Sequence, residues 1–236
     1  MNSDIASVLT NTSEVDLVHL VTSRMAHADA LNETLTRIVD FICAVVKCDS
    51  CFVYVVGGQK LVLRASMNPH ADVIGQLKLR FGQGITGWVA ENVKPVVIAE
   101  RAFSDPRFEF FKELPEDRYE AFLSVPVLCR KRLVGVISMQ HREPHVHTER
   151  EIKLISTIGF LVGADIEMAR LESENQKLIQ QLETRKLVER AKGILQRALG
   201  IGEEEAYLTI QSKGRRMRKS MRDIAEDIIL NDQKKA

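Results

Sequence analysis

Residues 51–63 read CFVYVVGGQKLVL, and the fold class can be predicted by starting from them. Residues 52–56 are β-branched or aromatic, residues 57–60 have the composition of a tight turn, and residues 61–63 resume the apolar pattern. Two such runs around a glycine-containing turn predict an antiparallel β-hairpin. The first half of the chain is therefore predicted to contain an antiparallel sheet.

More strands follow on the C-terminal side of this hairpin. Residues 123–128 and 133–139 flank the basic turn 130–132 and predict a second hairpin. The apolar alternation of residues 77–80 and the apolar run 95–98 predict two further strands. Together these patterns extend the predicted sheet.

Helices are predicted before and after the strands. Apolar residues recur at helical spacing over residues 17–25 and 31–46, and residues 1–14 are predicted to be a flexible N-terminus. After the last strand, Thr148 and Glu151 have the spacing of a capping box, which predicts the start of another helix. Strands grouped between helices predict an α+β fold in which helices cover an antiparallel sheet.

The composition is that of a globular protein with an uneven charge distribution. Of the 236 residues, 45% are hydrophobic and 28% are charged, which excludes a disordered chain, a collagen-like fibre and a disulfide-rich miniprotein. Residues 1–182 carry 20 basic and 23 acidic side chains, whereas residues 183–236 carry 13 and 9. The positive excess in the second part predicts a polyanionic partner.

The sequence shows no pattern typical of export. No basic segment followed by an apolar run opens it, and the longest nearly uncharged apolar stretch, residues 154–164, has 11 residues. A bilayer-spanning helix needs about 20. With four cysteines placed mostly within apolar runs, the sequence predicts a soluble, cytoplasmic protein with reduced thiols and no membrane partner.

Five short motifs follow one another in the first two thirds of the chain. They are GQGITGWVA at 82–90, PVVI at 95–98, SDPRF at 104–108, SVPV at 124–127 and LVGV at 133–136. In order and spacing they resemble a GAF domain, and with the flanking helices the resemblance covers about residues 15–168. The resemblance implies a small-molecule sensor and dimerisation module rather than a catalyst. Its ligand-binding residues are unknown, although the Phe-rich segment 103–114 predicts where a partly apolar ligand sits.

Residues 161–182 have the spacing of a coiled coil. Apolar residues there alternate in steps of three and four, with Asn175 at an a-type position. A buried Asn at that position costs stability but pairs with its counterpart in a parallel two-stranded coil, so the pattern predicts a homodimer. The alternative is a solvated amphipathic linker. The predicted dimer interface consists of Leu161, Met168, Leu171, Asn175, Leu178 and Leu182.

A second resemblance follows the heptads. Its motifs are RKLVERAKGIL at 185–195, EEAY at 204–207 and DIA at 223–225. They resemble an ANTAR domain over about residues 180–231. The resemblance implies a transcription antiterminator in which a dimer binds paired stem-loops of nascent RNA.

Helical periodicity agrees with this resemblance. Residues 183–231 predict a three-helix bundle, followed by a tail at 232–236. The apolar stripe of its second helix is predicted to consist of Ala206, Tyr207, Ile210, Gly214 and Met217. In two departures from the family pattern, Gly214 replaces Ala and Gly202 replaces a Ser or Thr cap.

Basic residues of this bundle form the predicted RNA-binding site. From residue 184 to residue 222 there are 11 basic side chains against four acidic ones. Gly193, on one helix face with Arg185 and Lys192, leaves room for a close RNA approach, and the arginines before the third helix suit phosphate or guanine. The predicted RNA-binding residues are Arg185, Arg190, Lys192, Gly193, Arg215, Arg216, Arg218 and Lys219. A solvated basic face, an acidic protein partner and DNA are the alternatives, although the acidic third helix is a poor DNA-recognition helix.

The sequence contains no complete catalytic or cofactor-binding pattern. Cys48 and Cys51 have CxxC spacing, but no second pair completes a zinc site, and buried thiols are expected. His141, His145 and His147 share a Pro-containing loop expected to lack fixed geometry, so no metal is predicted. The sequence therefore predicts a signal-responsive transcription antitermination regulator that is not an enzyme and has no cofactor, apart from an unidentified small-molecule ligand. The alternatives are a dimeric interaction scaffold with a ligand-free GAF domain and a redox enzyme on the GAF fold.

Overall fold

The computed structural model of the protein describes residues 19, 22, 31–67, 73–110 and 119–233. The chain divides into two compact units, Met1–Ala169 and Arg170–Ala236, which are described separately. The predictions of a flexible N-terminus over residues 1–14 and of a helix over residues 17–25 lie outside the described residues, apart from His19 and Thr22, which are helical.

The first unit is built on an antiparallel sheet of six strands. The strands are β1 Ser50–Gly57, β2 Lys60–Ser66, β3 Lys78–Arg80, β4 Val96–Ile98, β5 Ala121–Cys129 and β6 Arg132–His141. Their order across the sheet is β3-β2-β1-β6-β5-β4, and every neighbouring pair is antiparallel. The two predicted hairpins, now β1–β2 and β5–β6, and the predicted α+β class are confirmed.

Helices cover both faces of this sheet. They are α1 Leu31–Val46, α2 Gly84–Asn92 and the 51-residue α3 Glu149–Leu199. Because side chains alternate along a strand, Cys51 and Val53 of β1 pack in one cluster with α1 and α3. Phe52 and Tyr54 pack in a second cluster with α2. No helix among the described residues is both long and apolar enough to span a bilayer.

Small residues bring α3 close to the sheet. A Cβ atom at Gly163 would lie 2.5 Å from the carbonyl oxygen of Leu128, so only glycine permits this approach. At Gly159, one turn earlier, a Cβ atom would keep contact distances of 3.6 Å or more. The first turn of α3 is held by the predicted capping box, in which the Glu151 amide donates to Thr148 Oγ1 over 3.2 Å and the Thr148 amide donates to Glu151 Oε2 over 2.6 Å.

The second unit is the predicted three-helix bundle. The C-terminal part of α3 is joined by α4 Glu203–Met217 and α5 Met221–Gln233. The buried core comprises Val188, Ala191, Ile194, Leu195, Ala206, Ile210, Ile224, Ala225 and Ile229. Gly202 is the N-cap of α4 and makes no side-chain hydrogen bond. Ser220 and Asp223 cap α5, because the Ser220 amide donates to Asp223 Oδ2 over 3.0 Å and the Asp223 amide donates to Ser220 Oγ over 3.1 Å. Helix α5 ends at Gln233, so its last two residues fall in the segment predicted as a tail.

The apolar stripe of α4 is narrower than the sequence predicted. Ala206, Ile210 and Gly214, spaced by four residues, are buried. Tyr207 and Met217 are 41% and 51% exposed, so their assignment to the core is wrong. The physical reason is that one row of small and β-branched residues suffices to contact both neighbouring helices, which leaves the flanking aromatic and thioether side chains in solvent.

Candidate nucleic-acid interface and ligand hollow

The second unit carries positive charge along α3 and at the turn between α4 and α5. The exposed members of the predicted RNA-binding set are Arg185, Arg190, Arg215, Arg216, Arg218 and Lys219. Lys219 pairs with Asp227 over 2.8 Å. The five exposed arginines make no ion pair with any residue in the described ranges. Their guanidinium groups are therefore available to an external anion.

Lys192 differs from these cations because its side chain is buried and paired. Only 8% of the side chain is exposed, and Nζ lies 2.9 Å from Glu189 Oε2 and 2.7 Å from Glu203 Oε1. The hydrogen bonds donated to Glu203 and Glu189 raise the pKa of Lys192, and the same contact lowers the pKa of Glu203. The ammonium thus joins α3 to the first residue of α4. No sequence pattern indicates this pair, since its members are 11 residues apart across a turn.

Beside Lys192 lie an open stretch of helix and an aromatic ring. Apart from its chain neighbours and the backbone of its own helix, a Cβ atom at Gly193 would meet no described atom within 4 Å, so no other element covers α3 at this point. A cavity of about 370 Å³ is lined by Lys192, Glu203, Glu204 and Tyr207. An exposed tyrosine ring is a surface on which an unpaired RNA base stacks. Sequence reasoning missed Tyr207 as a surface residue because it assigned the ring to the buried stripe of α4.

The turn between α4 and α5 gathers three more cations. Arg218 closes α4 in the left-handed conformation, with φ of 53°, and the Lys219 amide donates to the Gly214 carbonyl oxygen over 3.0 Å. A Cβ atom at Gly214 would lie 3.0 Å from the Lys219 carbonyl oxygen, so the glycine found here eases a tight turn. That turn places Arg215, Arg216 and Arg218 together in solvent.

Helix α3 also carries an uncovered apolar stripe. Its exposed members are Met168, Leu171, Asn175, Leu178 and Leu182. The four apolar side chains among them are between 51% and 60% exposed. Leu161, the first residue of the predicted dimer interface, is half-buried and packs against the core of the first unit. The stripe is therefore unpartnered within a single chain, and the homodimer stays a prediction.

The first unit has a hollow beside its Phe-rich segment. A cavity of about 390 Å³ is lined by Phe103, Phe108, Phe110, Tyr119 and Glu120. The Phe108 ring lies 4.9 Å from the Phe110 ring and 6.3 Å from the Phe122 ring, both edge to face. This lining is consistent with the place expected for a partly apolar ligand. Residues 111–114 of the predicted segment lie outside the described residues.

The motif at residues 104–108 is attached to α2. Arg107 donates to both carboxylate oxygens of Asp105 over 2.8 Å, and its guanidinium lies 4.8 Å from the centre of the Trp88 ring. The hydrogen bonds from Arg107 hold the pKa of Asp105 below its usual value. Two motifs that are separate in the sequence thus form one contact beside the hollow.

Polar side chains are buried where α2 meets the sheet. Thr86 Oγ1 lies 2.9 Å from Ser138 Oγ, and Ser138 Oγ lies 2.8 Å from Ser124 Oγ, which makes a chain of three hydroxyls. Two residues along β6 from Ser138, Gln140 stands opposite Ser50 of β1. Gln140 Oε1 and Ser50 Oγ are buried without a hydrogen-bond partner in the described part of the chain. A buried polar atom without a partner destabilises the folded state, so a bound polar molecule that hydrogen-bonds to these two atoms would stabilise it.

Three cysteines meet between α1 and the sheet. Cys43, Cys48 and Cys51 are 5%, 7% and 0% exposed, which confirms the expectation of buried thiols. Cys48 Sγ donates to Cys43 Sγ over 3.4 Å. Hydrogen bonds from Cys48 and Cys51 lower the pKa of Cys43, and the same contacts together with burial raise the pKa of the other two thiols. The CxxC spacing therefore belongs to a buried cluster completed by a residue of α1.

Two family models match the chain. The model of the GAF domain matches residues 30–166, and the model of the ANTAR domain matches residues 176–229.

Curated relatives match different parts of the chain. A protein of Escherichia coli K12 named phosphoenolpyruvate-dependent phosphotransferase system is 28% identical over 156 residues, which are 64% of this chain and 20% of that protein. The transcriptional regulatory protein PdtaR of Mycobacterium tuberculosis H37Rv is 42% identical over 76 residues, which are 32% of this chain and 37% of that protein. The chain thus spans about a fifth of the length of its phosphotransferase relatives.

Solved structures share the fold. The GAF domain of a phosphoenolpyruvate-protein phosphotransferase from Coxiella burnetii has a TM-score of 0.64 at 26% identity and covers 68% of this chain and 96% of its own. The free methionine-R-sulfoxide reductase of Neisseria meningitidis has a TM-score of 0.56 at 15% identity and covers 66% of this chain and 89% of its own. At that identity the second likeness shows the fold alone.

Proposed function

The chain belongs to the GAF-domain family and carries an ANTAR domain after its GAF domain, as its motifs predicted, and we propose that it is a signal-responsive transcription antitermination regulator. This domain content is that of a regulator rather than an enzyme. In the proposal, the GAF domain binds a small molecule, and the ANTAR domain binds paired stem-loops of nascent RNA under its control.

One observation carries the proposed RNA output. The five exposed arginines of the predicted RNA-binding set make no ion pair with any described residue, so no carboxylate has to be displaced before they bind phosphate. Arginine binds phosphate bidentately and stacks on unpaired bases, which suits the loop of a hairpin. The bare helix surface at Gly193 supports a close approach of the RNA on the α3 side.

Lys192 has a different part in this proposal. An RNA phosphate would have to compete with Glu189 and Glu203 for its ammonium group. We therefore assign to Lys192 the positioning of α4 against α3, which holds Tyr207 in the wall of the same cavity. RNA contacts on this side are then expected from Gly193 and Tyr207 rather than from the lysine.

The uncovered stripe on α3 supports a dimer. Two stem-loops call for two ANTAR domains, and a parallel two-stranded coil would bring two together. Burying the stripe removes large apolar side chains from water, which stabilises association. Asn175, in the middle of the stripe, would pair with its counterpart and fix the register.

The aromatic hollow is the proposed sensor site. Its wall is formed by phenylalanine and tyrosine rings, and Glu120 supplies a carboxylate whose Oε2 accepts the Arg101 amide over 2.8 Å. A partly apolar molecule of modest size fits this lining. Such a ligand controls RNA binding only to the extent that its affinity differs between two states of the dimer.

The test is a salt titration of binding to an RNA with two stem-loops. The Arg215→Ala/Arg216→Ala variant should bind more weakly, and the slope of log affinity against log salt should fall by about 2, since each phosphate contact adds about 1 to it. The matched control is Lys78→Ala/Arg80→Ala, which removes two exposed cations of β3 in the GAF domain and should change neither quantity.

Two results would count against the proposal. Binding that is equal for any RNA and for DNA would indicate a nonspecific basic surface. Equal losses for the bundle variant and the β3 variant would mean that overall charge, rather than the ANTAR surface, determines affinity.

A further inference from the structure

Three histidines converge where β6 ends and the loop to α3 begins. His141 is the last residue of β6, and His145 and His147 follow in the loop. Their ring centres are 4.0, 4.8 and 5.3 Å apart, and one ligating nitrogen of each lies within 4.8 Å of the other two. Three imidazoles at this separation are the donor set that borderline transition-metal ions prefer.

The buried nitrogens of this cluster lack partners. His141 and His147 are 6% and 7% exposed. Within the described residues, His141 Nε2 and both ring nitrogens of His147 have no hydrogen bond. Buried polar atoms are normally satisfied, so the unpartnered nitrogens of these two rings call for a ligand. A metal ion can accept one lone pair from each ring at once, and the second nitrogen of His147 then carries the hydrogen.

Backbone hydrogen bonds hold the loop that the sequence suggested would lack fixed geometry. The Arg142 amide donates to Asp49 Oδ2 over 2.8 Å, and the His145 amide donates to the Ala99 carbonyl oxygen over 2.8 Å. The loop is thus attached at two points to elements distant in the sequence. A loop fixed in this way keeps its side chains near one geometry, which favours a preformed binding site over a mobile turn.

A carboxylate lies against the most exposed ring of the cluster, that of His145. Glu151 Oε1 lies 3.3 Å from His145 Nε2, which leaves Nδ1 of that ring for a metal.

We propose that His141, His145 and His147 bind one divalent transition-metal ion, of the class of Zn²⁺, with Glu151 orienting His145. Tetrahedral zinc with Zn–N distances of about 2.0–2.1 Å places its nitrogens about 3.4 Å apart, so the rings close in by roughly 1 Å. His145 rotates out of its stack on His141, and its side chain, 31% exposed, has room to do so. The ion would tie the end of β6 to the first turn of α3, since Glu151 lies in that turn.

The first experiment titrates Zn²⁺ into the full chain, stripped of metal, against a chromogenic chelator. One equivalent per chain is expected to bind. Glu151→Gln should weaken binding by about 10–100-fold, as loss of a carboxylate that orients a ligand does, and His147→Ala should weaken it further. His19→Ala is the matched control and should bind as tightly as the unchanged chain, because His19 is not part of the cluster.

A second variant and a second metal keep the test decisive. His145→Gln changes a partly exposed ring and keeps a hydrogen-bonding group for Glu151, so it should remain folded while losing affinity; thermal unfolding of both metal-free variants checks the fold. Co²⁺ should give the visible spectrum of a nitrogen-ligated tetrahedral ion without a thiolate charge-transfer band. Affinity unchanged in both His145→Gln and His147→Ala, or a thiolate band that assigns the metal to the cysteine cluster, would overturn the proposal.

Discussion

Glu203 accepts a hydrogen bond from Lys192 over 2.7 Å and so connects the start of α4 to α3. Glu189 accepts a second one over 2.9 Å, which leaves the ammonium enclosed by carboxylates. The basic residue that precedes Gly193 in the sequence is thus paired with carboxylates of its own bundle. This relationship separates the cations that are free to meet RNA from the one that shapes the surface.

Glu203→Gln should weaken both the bundle and RNA binding. The substitution removes the ion pair by which Lys192 holds α4 against α3, so the melting temperature should fall. Tyr207 would be held less firmly in the cavity wall, so RNA affinity should fall as well. Thermal unfolding and RNA titration measure the two effects. Glu205→Gln is the control: it removes the same charge two residues later in the same helix, where no ion pair with a described residue is lost. Equal effects of the two changes would contradict this account.

Gly193→Ala should separate stability from RNA binding. Outside its chain neighbours and the backbone of its own helix, the added methyl group meets no described atom within 4 Å, so the helix should gain about 1 kcal/mol from replacing glycine. If RNA approaches the bare helix, the same methyl group should lower RNA affinity. Chemical denaturation and RNA titration on the same preparation measure both quantities, and unchanged affinity in a stabilised chain would place the RNA elsewhere.

Gly163→Ala should destabilise the GAF domain. The new Cβ atom would lie 2.5 Å from the Leu128 carbonyl oxygen, so α3 would have to move away from β5, at a cost of about 1–3 kcal/mol. Gly159→Ala is the control on the same helix, where the contact is 3.6 Å and the substitution should be neutral or stabilising. Urea denaturation measures both variants. Equal shifts of the unfolding midpoint in Gly163→Ala and Gly159→Ala would refute the close approach of α3 to β5 at Gly163.

The Asn175→Leu variant should still associate, but without a single register or a single number of strands. An apolar residue at a buried a position stabilises coiled coils and removes the preference for one register and two strands. Light scattering should therefore show a mixture of assemblies, and RNA binding should fall. Ser173→Leu adds the same side chain two residues from Asn175, outside the predicted stripe, and should leave a single species. A single dimeric species with normal RNA binding in Asn175→Leu would count against the coiled coil.

Local patterns predicted most of the fold. The alternation in residues 52–56 and the turn after it became β1 and β2, and the Thr148–Glu151 spacing became the start of α3. These features depend on neighbours within a few residues, so the sequence contains the information directly. The family motifs predicted the domain order for the same reason, since each motif is a short run.

What sequence reasoning missed depends on contacts between distant residues. Lys192 counted as a free cation because its partner Glu203 begins another helix. The histidines of the loop meet because Asp49 and Ala99 hold the backbone around them, and neither residue is near the loop in the sequence. Side-chain spacing predicts which face a residue occupies, but it does not predict the partner across a turn.

The hydroxyl chain of Thr86, Ser138 and Ser124 has a polarity that follows from counting hydrogens. Three hydroxyl groups supply one hydrogen each, and two links use two of them. One hydrogen is therefore left over: it belongs to Thr86 on α2 or to Ser124 on β5 when both links run in the same direction, and to Ser138 when Ser138 accepts from both neighbours. Reversing the direction of all three at once moves that hydrogen from helix to sheet without moving a heavy atom. A molecule bound beside α2 that offers an acceptor, rather than a donor, sets which end carries it.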